Sequence, residues 1–189
     1  MFTSAFSTGS WIEHFPIWLV TVTLVVAAVI DGWKLKVPNW LTFPMIVGGW
    51  AYCGATLGWP GLGWSLAATV VGLALLLPLY AIGGMGAGDV KLLAGVGAWL
   101  ADPLTLVYAF CVSALIGGAI AVAMVVYRKA WDKHLGQFRT IANEIMTIRD
   151  PNQLSAIAAE RKSSMLLLPY GIPIAIGSIL YFAVTGMLN

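Results

Sequence analysis

Apolar residues in this chain come in blocks rather than in alternating or striped patterns. Six blocks, at about 16–33, 40–57, 62–82, 88–101, 104–127 and 165–187, carry almost no charge and are separated by short breaks, except for the longer segment before the last. A bilayer core of about 30 Å is crossed by roughly 20 helical residues. Helix is the only open form that satisfies its own backbone there. The blocks therefore predict an all-α polytopic membrane protein, a single domain over 1–189 with six transmembrane helices. Block 88–101 is short, and it spans only if its ends are shielded by neighbouring helices. The remaining sizeable segment, 128–164, is polar with a periodic exception. Leu135, Phe138, Ile141, Ile145 and Ile148 recur at spacings of three and four, while Lys133, Arg139, Glu144 and Arg149 occupy other faces. That pattern predicts an amphipathic helix lying on a membrane surface. It should break at Asp150-Pro151-Asn152, since proline lacks a donor and restricts its predecessor.

Composition strengthens the membrane reading. The 189 residues are 60% hydrophobic and only 10% charged, with nine Trp, and the mean hydropathy is +0.88. The lipid bilayer is the first partner. A net charge of +2 without a basic, aromatic-interleaved stripe excludes nucleic acid as a second one. Placement of charge says more than its total. With six spans, Lys34, Lys36, Lys91 and the seven basic residues of 128–164, which are all ten Lys and Arg, fall on one side; the opposite side holds Glu13 and Asp102. Basic residues near span ends stay cytoplasmic. Both termini are thus expected outside, with 34–39, 83–89 and 128–164 inside. The N-terminus lacks the basic region and cleavage pattern of a signal peptide, so the first apolar block is expected in the mature protein.

Cys53 and Cys111 lie in apolar runs without a CxxC pattern, and both are expected to be buried packing residues. His14 and His134 each lack a second ligand at helical spacing and read as solvated. Gly48, Gly49, Gly72, Gly95, Gly97, Gly117 and Gly118 are expected at helix contacts, because small residues allow close approach in lipid. Trp11, Trp40, Trp59 and Trp64 read as an interfacial belt.

Two residues do not fit a purely structural account. Asp31 ends the first block and Asp89 begins the fourth, both on the cytoplasmic side, and a carboxylate at membrane depth is expensive unless it has a function. Two such groups at one level form a candidate acid–base pair. Neighbouring carboxylates share a proton, so one activates water while the other protonates or polarises a carbonyl. The chain offers no HExxH, cysteine cluster or GxSxG, so no metal, no cofactor and no serine nucleophile is expected. The residues before Asp89 read "GGMGAG". Gly86 and Gly88 are expected to keep the backbone irregular beside a cavity, since glycine allows positive φ and close approach of an extended peptide.

Gly86-Ala87-Gly88-Asp89 resembles the GxGD motif of the intramembrane aspartyl proteases. Asp31 followed by Val37-Pro38-Asn39 resembles the first-aspartate segment of the type IV prepilin peptidase family, and Pro169-Tyr170-Gly171 is similar to that family's PxG segment. The resemblance implies a GxGD-type helical bundle with Asp31 and Asp89 as catalytic dyad. It also implies that Gly86, Gly88, Pro38, Asn39, Pro169, Tyr170 and Gly171 shape the site. Lys91 is expected to be a topology anchor that also tunes Asp89 electrostatically.

The implied substrates are prepilins or pseudopilins, cut after a glycine between a short basic leader and an apolar helix, in the bacterial inner membrane. Larger family members carry a cysteine-rich cytoplasmic region associated with N-methylation. Here about fifteen residues precede the first span, so a peptidase without methyltransferase is expected, of the small branch serving tight-adherence (Flp-type) pili. Archaeal preflagellin peptidases share the two motifs. Two other readings stay open: a proton- or cation-coupled transporter using the same aspartates, and a catalytically silent assembly factor.

Overall fold

The computed structural model describes residues 11–81, 84–127 and 169–188, so the amphipathic segment at 128–164 lies outside the described residues. Among the described residues the regular elements are helices: α1 (Trp11–Lys34), α2 (Asn39–Ala81), α3 (Ala87–Leu100), α4 (Pro103–Tyr127) and α5 (Gly171–Val184). Three stretches, His14–Lys34, Asn39–Ala81 and Pro103–Met124, are long and apolar enough to cross a membrane. The all-α expectation holds for the described residues, and the blocks at 40–57 and 62–82 follow one another as a continuous helical stretch, α2.

Helix α2 would be about 65 Å long if straight, twice the bilayer core. It is not straight. Gly58 has φ 67° and ψ −159°, a combination open almost only to glycine, and the chain doubles back there. The indole N–H of Trp50 donates to Thr69 Oγ1 at 3.0 Å, although 19 residues of unbroken helix would separate them by roughly 28 Å. The two blocks are therefore antiparallel arms, and the break between them is one residue rather than a loop.

Helix α3 lies along both arms, and the contacts fix its direction. Gly88 abuts Val37, Gly95 abuts Met45 and Gly49 abuts Ala98, so α3 runs parallel to the first arm; Gly97 against Ala68 and Gly72 against Ala94 make it antiparallel to the second. Both arms reach one carbonyl. The Ser65 hydroxyl donates to Ala98 O at 2.5 Å, the Cys53 thiol lies 3.5 Å from it, and Trp99 Nε1–H donates to Met45 O at 2.8 Å. From Asp89 to Trp99 every residue but Lys91 is buried. This shielding is what a helix of about 21 Å requires if it is to lie at membrane depth.

Helix α4 opens on Asp102, which caps it through Leu104 N–H at 3.0 Å and Thr105 Oγ1 at 2.8 Å, with Pro103 at the first helical position. Helix α5 packs antiparallel to α4: Gly117 meets Pro173, and Ser113 Oγ lies 3.3 Å from Ile174 O. It also packs against α1, where His14 Nδ1 lies 3.3 Å from Met187 O. His14 is thus partly buried with a backbone partner, not simply solvated. Of the seven glycines expected at helix contacts, Gly118 alone meets nothing within 4 Å. Cys53 is buried as expected, but Cys111 is exposed. The correction has a simple cause: on a lipid-facing surface an apolar position need not be an interior one.

Candidate active site

Asp31 lies one turn before the end of α1, and Asp89 lies in the first turn of α3. They are 2% and 5% exposed, so each carboxylate has exchanged water for protein partners. Those partners are helix N-termini. Asp31 Oδ2 accepts the Gly171 N–H at 2.8 Å, across 140 residues, and Gly171 is the first residue of α5. Asp89 Oδ2 accepts the N–H of Gly86, the N-cap of its own helix, at 3.2 Å. Unpaired N–H groups and the helix dipole favour negative charge at such ends, which offsets part of the cost of burial.

The segment that holds Asp31 also neighbours the segment before Asp89, since Tyr170 and Met85 line one groove. Tyr170, next to the amide that holds Asp31, lies within electrostatic range of Asp89. Pro169 and Tyr170 turn the chain into α5: their carbonyls accept the N–H groups of Ile172 at 3.2 Å and Ile174 at 3.1 Å. Gly171 sits so close to Asp31 that a Cβ there would lie 2.9 Å from Oδ2. A side chain would push the carboxylate off the amide that holds it.

The third segment is the link between α1 and α2. Leu35 adopts φ 50° and its N–H donates to Asp31 O at 2.8 Å, ending α1 within a residue of Lys34. Pro38 then starts α2, its carbonyl accepting from Leu41 and Thr42 at 3.1 and 3.3 Å. Asn39 Oδ1 accepts from Lys91 Nζ at 3.0 Å. Gly88 packs on this link: a Cβ there would lie 2.5 Å from Val37 O.

Gly86 and Gly88 differ from their sequence reading in mechanism. Gly86 is extended at φ −85° and Gly88 is inside α3, so neither uses positive φ. What Gly88 supplies is close approach of one backbone to another. Two neighbours went unnoticed in the sequence. Phe43 lies under the Lys91 ammonium, 4.7 Å from ring centroid to Nζ, and its position four residues after Asn39 on one helix face was the available signal. Met85, 2% exposed, walls an apolar groove of about 230 Å³ shared with Tyr170, Phe110, Gly117 and Pro173.

The model of the type IV leader peptidase family matches residues 18–122, more than half of the chain and all of the region that carries both aspartates. The chain belongs to that family. Among curated relatives it matches the prepilin leader peptidase/N-methyltransferases of Aeromonas hydrophila and Aeromonas salmonicida, each 33% identical over 120 residues, which is 58% of this chain. The chain spans about two fifths of the length of these relatives, 40% in each case. No solved structure matches it. Within this leader peptidase family member, Pro169-Tyr170-Gly171 lies outside the matched stretch. The hydrogen bond from Gly171 nevertheless ties that segment to Asp31.

Proposed function

We propose that this chain is a membrane-embedded aspartic endopeptidase that removes the short basic leader of Flp-type prepilins after a glycine, at the cytoplasmic face of the bacterial inner membrane. The observation that carries the reading is the burial of Asp31 and Asp89 at two helix N-termini that share the Tyr170–Gly171 corner. One carboxylate, ionised, takes a proton from water as the water oxygen bonds to the scissile carbonyl carbon. The other, protonated, hydrogen-bonds the carbonyl oxygen; collapse of the tetrahedral adduct breaks the C–N bond and the departing amine takes up a proton. Of the two activities in the relatives' name, hydrolysis is the one two carboxylates supply.

A six-span topology goes with this reading, with the arms of α2 as two spans and Lys34, Lys36 and Lys91 at the cytoplasmic end. The scissile bond of a prepilin lies where its basic leader meets its apolar helix, at that same level. The apolar groove beside Tyr170 leaves room for the apolar side of such a substrate. Membership of a peptidase family favours hydrolysis over ion transport as the use of the aspartates.

Co-expression with a Flp-type prepilin is the test. The wild-type chain should convert it to mature size, and Asp31→Asn and Asp89→Asn should each abolish conversion while inserting normally, because an amide keeps the shape but neither accepts nor shares the proton. Cleavage at wild-type rate by either variant would remove the dyad. Proton flux into vesicles without any cleavage would restore the transporter reading.

A further inference from the structure

We infer that Lys91 and Asn39 form a clasp that sets the spacing and rotation of the two aspartate-bearing segments; this rests on the dyad reading above. The lysine does not stand alone as a charge. Its Nζ donates to Asn39 Oδ1 at 3.0 Å, across 52 residues of chain, and lies over the Phe43 ring at 4.7 Å from the centroid. Asn39 and Phe43 are four apart on one face of α2, so a hydrogen bond and a cation–π contact seat the ammonium on that face together.

A second contact lies one helical turn away. Gly88, three residues before Lys91, brings the α3 backbone onto the Val37 backbone, two residues before Asn39. Two contacts a turn apart fix both the distance of α3 from the α1–α2 link and its rotation about its own axis. Asp89 sits between them. On the far side the link is short: Asn39 is eight residues beyond Asp31, and the α1 terminus is closed by the bond from Leu35 N–H to Asp31 O at 2.8 Å. Asp31 is therefore joined to Asp89 by a brief path, and the Lys91–Asn39 hydrogen bond ties the two segments side chain to side chain across it. Lys91 is a positioning residue here. It acts on Asp89 by holding α3, and Asn39 is its necessary partner.

The test measures kcat and KM on a detergent-solubilised Flp-type prepilin for wild type, Lys91→Ala, Asn39→Ala, the double variant and Asn39→Asp, which keeps the acceptor. Misplacing one member of an acid–base pair acts on turnover, so each alanine variant should lose about tenfold or more in kcat with KM within about twofold. The double variant should be no worse than the poorer single one, since the second substitution removes nothing further. Asn39→Asp should retain most of the activity. Amide hydrogen exchange should quicken over 86–91 in both alanine variants and stay unchanged over 92–99. Additive losses in the double variant, or unchanged exchange over 86–91, would overturn the clasp. So would a shifted pH–rate profile in Lys91→Ala alongside a silent Asn39→Ala, which would make Lys91 a direct electrostatic effector. Cleavage by Asp89→Asn would instead defeat the dyad, and the exchange measurement would still judge the clasp by itself.

Discussion

Gly88 and Gly95 lie seven residues apart on α3, and a methyl group added at each meets different resistance. At Gly88 it would stand 2.5 Å from Val37 O and 3.1 Å from Val37 N, both backbone atoms. At Gly95 it would meet Met45 Sδ at 2.9 Å and Cγ at 3.0 Å, side-chain atoms of an unbranched, adaptable methionine rather than backbone. Gly88→Ala should therefore lift the start of α3 off the link and lower kcat by about tenfold or more. Gly95→Ala should leave turnover within about twofold, because the gain in helix propensity, about 1 kcal/mol, offsets the adjustment of Met45. Turnover per folded molecule decides the matter, and equal losses would show that Gly88 does nothing for the site beyond general packing. The importance of this glycine was legible in the sequence but its reason was not. The GAGD pattern pointed to an irregular loop, whereas the constraint comes from Val37, 51 positions away.

Among the elements, α2 depends most on a single residue. Gly58 holds φ 67° and ψ −159°, and its Cβ position is nearly empty, with Pro60 Cδ at 3.9 Å. Any penalty for a side chain is then one of backbone conformation, about 1–3 kcal/mol for a residue other than glycine in that region. Gly58→Ala should lower the melting temperature in detergent. Gly63→Ala, at a helical position with nothing within 4 Å, should not lower it, which makes it the control. Equal melting temperatures for the two variants would mean that the arms' pairing, and not Gly58, makes the reversal. The apolar blocks announced two helices here, with Gly-Trp-Pro-Gly at 58–61 as the break between them. Only the contacts between arms reduce it to a hinge of one residue.

For the whole molecule, the helix directions separate two ends. One end has Asp31, Asp89 and the Lys91–Asn39 pair. The other has the α3–α4 corner at Asp102, the hinge at Gly58, and the cluster of Phe15, Tyr52 and Trp99, whose ring centroids lie 5.3 to 6.2 Å apart. His14 and Met187 meet at this second end as well. On the proposed topology, with the basic residues cytoplasmic, a membrane-impermeant thiol reagent should label Asp102→Cys in intact cells and Lys36→Cys only after permeabilisation, both in a background lacking Cys53 and Cys111. The reverse pattern would invert the protein in the membrane and put the aspartates on the wrong side for a cytoplasmic leader.

Block lengths, charge placement and the two aspartate segments were determined by the sequence alone, because each depends on local composition: the length of an apolar run, the position of a lysine, or a carboxylate beside lipid. The all-helical fold and the family were within reach of such signals, and so was the choice of Asp31 and Asp89 as the proposed pair. Other features depend on residues far apart in the chain, and only the tertiary structure decided them. Asp31 accepts the N–H of Gly171 140 positions away, Lys91 is committed to Asn39 and Phe43, and Cys111 faces outward while Cys53 is buried. No window of sequence contains both partners of such a contact. In a bilayer, moreover, apolar character does not tell an interior position from a lipid-facing one, so burial is settled by packing geometry.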